Sequence, residues 1–593
     1  MHTSIRSARI IFLVSILAAA FLLAACSDDA TSPEPPGGNG GEDAGVFKAD
    51  RHGLYLLSAW AHSPELTYAT AYLGVAKITD AETVVMSLEG LATVRGIWGS
   101  SPDNVFVVGY SAPSTDGEIY RSNGKSWKRM LHPFQEAVND VFGLGPDTVF
   151  VVTKDGKLGR FDGSGWTVVH EHPDGEFNAV WASSTNDIYI AGRDSLILHY
   201  DGVRWEDQSV TESGHFVALW GSGPGDVYAL AGQSIYHDSG TGWAEELDAG
   251  VILMDIDGAS ADNIYVVGEQ GTLLHFTGFG WAPVVLPGGE DAYLFGISMS
   301  SETSAVVVGY PGVVARLSGI SWTLEHKGRD LTWRGVMGVA PDAVYAVAEQ
   351  GTLGVYDGSE WSYLDAPGDF SPMDICAVAR DEVLVAGPDD GGGGVYRFDG
   401  SRWSNLHSTR SDLYAVWVVG AEVFAAGDAG AMTRFDGASW ADTALTSQKF
   451  LDIWGTSGDD IFAVGEEGTI FHFDGADWTD MSLTTTFDVN CVFGTSASDV
   501  RAAGMNGLML RYDGYIWRSD IMVFPVETTS LWGSTPNDYW AGGTSGILLR
   551  YDGTHWDMTV AVPMVSLSGI WGDRAGTVFM CGPGDHLGRY VGY

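Results

Sequence analysis

The chain has 593 residues, with 79 Gly, 12% aromatic residues and a formal net charge of −45 from 76 acidic against 31 Lys and Arg side chains. That charge excludes a nucleic-acid role, since phosphate binding needs a basic surface, and it argues against adhesion to anionic lipid. It suits solubility, cations or basic partners. The length predicts several domains, and the Gly and aromatic content predicts strands and turns with little place for helices.

At the N-terminus, Arg6 and Arg9 precede an apolar run from Ile10 to Leu23 that is too short and wrongly flanked for a stable membrane span. The run ends in Leu23-Ala24-Ala25-Cys26, which resembles the lipobox of bacterial lipoproteins. The resemblance implies removal of residues 1–25 and lipid attachment to Cys26, and several acyl chains hold a protein to a membrane stably. Ser27 in place of Asp after the Cys favours the outer membrane in enterobacterial lipoproteins. The expected protein is exported and lipid-anchored to the cell envelope, at the outer membrane, on its periplasmic side or at the cell surface. Residues 26–45, rich in Gly and Pro, predict a disordered tether. No later segment is long and apolar enough to cross a membrane as a helix.

From residue 46 onward one stretch recurs, most cleanly between Ile453 and Trp478. Short alternating runs divided by Gly and Asp predict strands, and Asp474-Gly475 predicts a tight hairpin turn because both residues tolerate positive φ. Twelve Trp, from Trp127 to Trp556, succeed one another at intervals of 37 to 42 residues. Four short strands fill such a period. The aromatic ending the first strand appears as Trp60, Trp98, Phe142, Trp181, Trp220, Trp417, Trp454, Phe493, Trp532 and Trp571, with Asp257, Ser298, Met337 and Cys376 in the same place between Trp220 and Trp417. Fourteen units result. Sheets of this size must stack radially to bury both faces, so the predicted fold is an all-β β-propeller of about fourteen four-stranded blades. The favoured arrangement is two seven-bladed propellers in tandem, over 46–326 and 327–593, with one large ring or an unequal split as alternatives. The last unit stops without its fourth strand, and Val46 to Leu57 is the expected donor.

The periodic Trp residues read as packing between blades. Trp540 falls at a core aromatic position of the second strand, while Trp333 lies off the pattern in a connection. First-to-second and third-to-fourth turns are nearly identical throughout, whereas second-to-third and fourth-to-first connections vary and share one face, the expected ligand face. Toward the axis, Asp140, Asp255, Asp374 and Asp452 stand two residues before the aromatic position, and Asp257 occupies that position itself. One residue earlier come Arg95, Asn139, Asn178, Arg334 and Asn490. Asp140, Asp255, Asp257, Asp374 and Asp452, with Arg334, form the candidate channel-mouth site for a ligand or a cation, and convergent carboxylate oxygens suit Ca2+. The alternative is a hydrated channel. Arg501 replaces the second-strand aromatic and is either salt-bridged or aimed into a site. Cys376, Cys491 and Cys581 read as buried free thiols. HExxH, GxSxG, phosphate-loop and Cys/His zinc patterns are missing, and the fifteen His are scattered, with His170 and His172 a local pair. A carboxylate pair for glycoside hydrolysis stays open among so many acids.

The repeat, W-G-S…D-V-F-V-V-G…G-T-I…F-D-G…W from Trp60 to the C-terminus, resembles the short-blade repeats of bacterial propeller lipoproteins. Its Asp-Gly-x-x-Trp element is similar to the Asp-box turn of sialidase-like and photosystem-assembly propellers, with one residue fewer between Asp and Trp. The recurring Trp is also similar to the Trp-docking repeats of quinoprotein dehydrogenases. Such resemblance implies a fold and leaves function to the site. The expected function is that of a lipid-anchored, non-catalytic binding or scaffold protein with a protein or glycan partner in the envelope. The rival is an extracytoplasmic polysaccharide-active enzyme, a glycosidase or lyase.

Overall fold

A computed structural model describes residues 47–49 and 55–591, apart from short stretches at 72–73, 80–82, 89, 92, 112–113, 174, 211–213, 330, 521–525, 562–565, 574–575 and 584–585. The signal segment, Cys26 and the tether lie outside the described residues. The described chain is built of antiparallel strands, with twelve four-stranded sheets and one of eight strands that joins two four-stranded units. That makes fourteen repeats. Their first strands are Leu56–Ser63, Thr93–Ser101, Val138–Gly145, Phe177–Ser184, Phe216–Gly223, Leu253–Ser260 and Tyr293–Ser301 in sheets 1 to 7. In sheets 8 to 14 they are Trp333–Ala340, Asp374–Ala379, Leu413–Val419, Phe450–Ser457, Val489–Ser496, Thr528–Thr535 and Gly569–Gly572.

Both faces of each sheet are covered by neighbours, which explains why second strands such as Asp187–Gly192 and Asp460–Gly465 are buried along almost their whole length. Fourth strands such as Trp166–Glu171 bury the leading Trp and expose most of their remaining residues. First strands line up side by side, and the indole ending one of them lies on the Gly just after the same position in the next sheet. A Cβ on Gly143 would fall 2.4 Å from the Trp98 ring, and one on Gly494 2.5 Å from Trp454. The Trp-Gly pair of the repeat is therefore one contact divided between successive sheets.

The same contacts return on themselves after seven sheets. Trp571 of sheet 14 covers Gly338 of sheet 8, and the Ser298 hydroxyl of sheet 7 accepts a hydrogen bond from the Ala61 amide of sheet 1 at 3.0 Å. One cavity is lined by the first strands of all seven sheets from 8 to 14. The fourth strand of sheet 14 comes from the other end of the chain, as Phe47–Ala49 pairs with His586–Val591 in the register Lys48 to Arg589. Phe47 also pairs with Val85 at the edge of sheet 1, which produces the eight-stranded sheet. Among the described residues of the expected donor, Phe47–Ala49 do this, while Leu56 and Leu57 belong to the first strand of sheet 1.

Three sequence expectations are corrected. Trp333 lies on the first strand of sheet 8 and is fully buried, four residues before Met337, where other sheets place Val138, Phe177, Phe216 or Phe450. The Asp-Gly element is a four-residue connection in which only the Gly has positive φ, for example +91° at Gly163. There the Asp162 carboxylate accepts hydrogen bonds from the Ser164 and Gly165 amides at 2.9 and 3.0 Å, and Asp474 does the same for Ala476 and Asp477. Second-to-third connections vary less than expected. Ala429, Glu467 and Asn506 all adopt φ between +51° and +53° just before a Gly that also has positive φ.

Candidate functional site

Three of the axial acids, Asp140, Asp255 and Asp452, sit where the first strand carries one extra residue. Between Val138 and Asp140, Leu253 and Asp255, and Phe450 and Asp452 the register to the second strand shifts by one, a bulge that turns the next side chain toward the neighbouring first strand. Asp140 accepts from its own neighbour Val141 at 2.8 Å and from the Val180 amide of the next sheet at 2.9 Å. Asp255 bonds Ile256 and Ile297, Asp374 bonds Ile375 and Val416, and Asp452 bonds Ile453 and Val492, all at 2.8 or 2.9 Å. Asp257 grips Gly258 and Met299 in the same way. These carboxylates are clamps between consecutive first strands, with an amide donor on each oxygen.

At the position before the clamp, Asn adds a tie of its own in three sheets, in one of them ahead of a clamping Asp. Asn139 donates to the Phe177 carbonyl at 2.8 Å, Asn178 to Phe216 at 2.9 Å and Asn490 to Thr528 at 3.0 Å. Ser530 accepts from the Ile570 amide in the place of an Asp. Each of the clamping carboxylate oxygens already accepts one backbone amide, so a cation or other ligand would have its second lone pair to use. Arg334 is paired with Glu349. The six candidates also divide between two places, with Asp140, Asp255 and Asp257 in sheets 3 and 6. Asp374, Asp452 and Arg334 border the cavity of sheets 8 to 14, which has a volume of about 160 Å³ and opens to solvent.

Electrostatics follow from this position. The side chains are partly exposed to the passage yet packed around by protein, and loss of water outweighs the stabilising amides. Burial pushes the Asp255 carboxyl up to about 8, with the Asp257 and Asp140 charges adding to it, and raises Asp140, Asp257 and Asp374 to about 6. Burial and the Asp374 charge raise Asp452 well above the usual carboxylate range. The thiols of Cys376, Cys491 and Cys581 are free and buried. Among the described residues, one group brings three His, Cys or acidic ligand atoms within 4.8 Å of one another: Asp552, His555 and Asp557, all exposed on the outer edge of sheet 13.

The face made by second-to-third turns and fourth-to-first connections is held together by backbone bonds. Leu445 donates to the Gly430 carbonyl at 3.0 Å, Leu483 to Gly468 at 2.9 Å and Ala366 to Gly351 at 2.7 Å. A Cβ on Gly430 would meet the Thr446 carbonyl at 2.2 Å, so Gly is required for this approach. Loops that vary in sequence thus stand on a stiff base.

No family model matches the chain, and no curated protein matches it. Solved structures do. PorZ of Porphyromonas gingivalis, described as an essential bacterial surface component of the type-IX secretion system, is similar at a TM-score of 0.61 and 12% identity, over 92% of this chain and 86% of that one. A GH74 enzyme of Niastella koreensis is similar at a TM-score of 0.61 and 14% identity, over 92% of this chain and 99% of that one. The likeness is one of fold.

Sequence reading missed a second recurring device. His199, His237, His275 and His472 are not scattered but share one position on the third strand, where Arg121 and Arg434 stand in other sheets. Each stacks on the second-strand aromatic of its own sheet, with centroids 4.0 Å apart for Tyr189 and His199 and 4.2 Å for Phe462 and His472. Each also meets a polar residue opening the second strand, as His199 meets Asp187 at 2.7 Å and His472 meets Asp460 at 2.8 Å. A basic residue two before most of the third-strand Asp-Gly pairs, as at Arg160, His199, Arg434 and His472, was the available signal. Arg501 is part of the core. It is fully buried, ion-paired with Asp520, and its guanidinium lies 4.7 Å from the Tyr539 ring, 4.1 Å from Tyr551 and 5.7 Å from Trp556.

Proposed function

We propose that this protein is a lipid-anchored, non-catalytic binding or scaffold protein of the bacterial envelope, using the loop-bearing face of its sheets for a protein or glycan partner. The observation that carries the reading is the use of the axial carboxylates. Five acids that would be the natural catalytic candidates grip backbone amides of the neighbouring sheet and serve the frame. The variable connections are presented on a braced platform, which suits recognition by many weak contacts. Lipid on Cys26 would hold that platform at the membrane, and a charge of −45 favours a partner with a basic surface. Likeness in fold to a surface component of a secretion system is consistent with this role.

The test is cross-linking in intact cells, then purification of the lipidated protein and mass spectrometry. A stoichiometric envelope protein joined through the fourth-to-first connections is the expected result. Cys26→Ser should release the protein from the membrane fraction. A polysaccharide-active enzyme is the second reading, favoured by fold likeness over nearly the full length of a GH74 enzyme. Release of new reducing ends from a panel of polysaccharides, abolished by a single carboxylate substitution that leaves the melting temperature unchanged, would replace the scaffold reading with this one.

A further inference from the structure

Between consecutive sheets the repeat builds a seat for one flat group. The second-strand aromatic of one sheet enters between two rings of the next, one ending its third strand and the other the Trp opening its fourth. Phe106 meets Phe161 and Trp166 at 5.6 and 6.2 Å, Tyr228 meets Phe276 and Trp281 at 6.1 and 6.0 Å, and Phe462 meets Tyr512 and Trp517 at 5.1 and 5.7 Å. Where Arg501 replaces the aromatic, its guanidinium occupies the same seat, over Tyr551 and Trp556.

Sheets 9 and 10 keep the seat but fill it with a smaller, aliphatic side chain. Phe435 and Trp440 of sheet 10 stand in place with centroids 5.3 Å apart, and Arg397 of sheet 9 keeps the third-strand cation position, paired with Glu382 at 2.7 Å. The second-strand residue, however, is Leu384, and the first strand carries Cys376 in place of the usual aromatic. A cleft of about 240 Å³ opens there, floored by Leu384 and walled by Val418, Phe435 and Trp440. Its rim residues Val378 and Leu406 are 40% and 37% exposed, whereas Leu384 is only 4% exposed. Sheet 7 also lacks the ring, having Val306, but there sheet 1 has no Trp on its fourth strand Thr83–Ser87, and Arg316 reaches across to the Thr67 hydroxyl. Both sides are trimmed at that junction. Only one side is trimmed between sheets 9 and 10.

We propose that this cleft binds a free aryl compound of phenyl or phenol size, its ring taking the place that Phe106, Tyr228 and Phe462 hold elsewhere. Two aromatic walls and a guanidinium at the edge match the π-faces and rim of such a ring. The cleft includes Gly420 and Ala421 of a first-to-second turn and so lies at the opposite end of the sheets from the loop-bearing face. It is independent of the scaffold reading.

The test is 19F NMR of 4-fluorophenol added to the full mature chain. The expected result is saturable line broadening with a dissociation constant of about 1 mM, ordinary for one buried ring. Leu384→Phe should abolish it by filling the seat from within, with a melting temperature raised by a few degrees. Val378→Trp, at the exposed rim, should abolish it without touching the core and decides the matter if Leu384→Phe folds poorly. Leu131→Ser, far from the cleft and 97% exposed at residue 131, should leave it intact. Absence of saturable broadening, or broadening unchanged in the blocking variants, would overturn the proposal. Displacement by N-acetyl-tyrosinamide at lower concentration than by phenol would also overturn it, in favour of an aromatic side chain from another protein.

Discussion

Sheet 11 packs on sheet 12, and sheet 12 on sheet 13, through the same seat filled in two ways. In the first junction Phe462 lies among Tyr512 and Trp517, and His472 stacks on its other side. In the second, Arg501 enters between Tyr551 and Trp556 and pairs with Asp520 at the protein edge. The difference teaches that the seat selects shape and π-facing character more than apolarity. A guanidinium is flat, weakly hydrated for a cation, and attracted to ring faces. It needs a counter-charge that a phenyl ring does not, and Asp520 provides it.

The largest expected effect loosens both junctions together. Deleting the strand Phe47–Ala49 leaves sheet 14 with an open edge, and calorimetry should then show a separate, earlier transition for sheets 8 to 14. An unchanged single transition would remove the role of that strand. Next, Phe462→Ala should cost about 4 kcal/mol through lost burial and a cavity walled by rigid rings. Arg501→Ala should cost about 3 kcal/mol, because it leaves Asp520 unpaired as well as a void. Arg501→Phe is the sharper experiment. If shape governs the seat, denaturant unfolding of this variant should fall within about 1 kcal/mol of the parent. A loss as large as that of Arg501→Ala would break the equivalence of the two fillings. Gly494→Ala should cost about 2 kcal/mol, since its methyl would meet the Trp454 ring at 2.5 Å.

The smallest effect is a dependence on pH. Asp140, Asp257 and Asp374 have carboxyls raised to about 6, and Asp255 to about 8, so the folded chain holds protons that the unfolded chain releases. That contribution is complete below the ordinary carboxylate pKa of about 4 and is lost as pH rises through 6 and then 8. The melting temperature should therefore rise on going from about pH 8.5 to about pH 5. Asp255→Ser keeps an acceptor, as Ser530 does between sheets 13 and 14, and should flatten the upper part of the profile. A profile unchanged by Asp255→Ser would show that the dependence arises elsewhere.

Much of this frame was legible in the residues. Trp-Gly, Asp-Gly and the spacing of the fourth-strand Trp are local signals of contacts that recur, so period, strand order and sheet count can be read from them. Trp333 was misplaced because Met337 hides the aromatic from which its position is counted. The amide partners of the axial acids were not legible for a different reason: a carboxylate beside an axis reads alike whether or not it meets a backbone amide, and the bulge that aims Asp140, Asp255 and Asp452 has no residue type of its own.

By itself, the sequence determined the all-β repeat, the fourteen units and the buried thiols, because each depends on side-chain period, and it pointed to the borrowed strand because the last repeat lacks its fourth strand. Tertiary structure alone decided which groups meet across sheets some forty residues apart. It assigned Asp140 to the Val180 amide, Phe462 to the Tyr512 and Trp517 rings, Arg501 to a cage of rings, and Leu384 alone to the place beside Phe435 and Trp440. Those outcomes depend on the relative placement of two sheets. No local pattern encodes that distance.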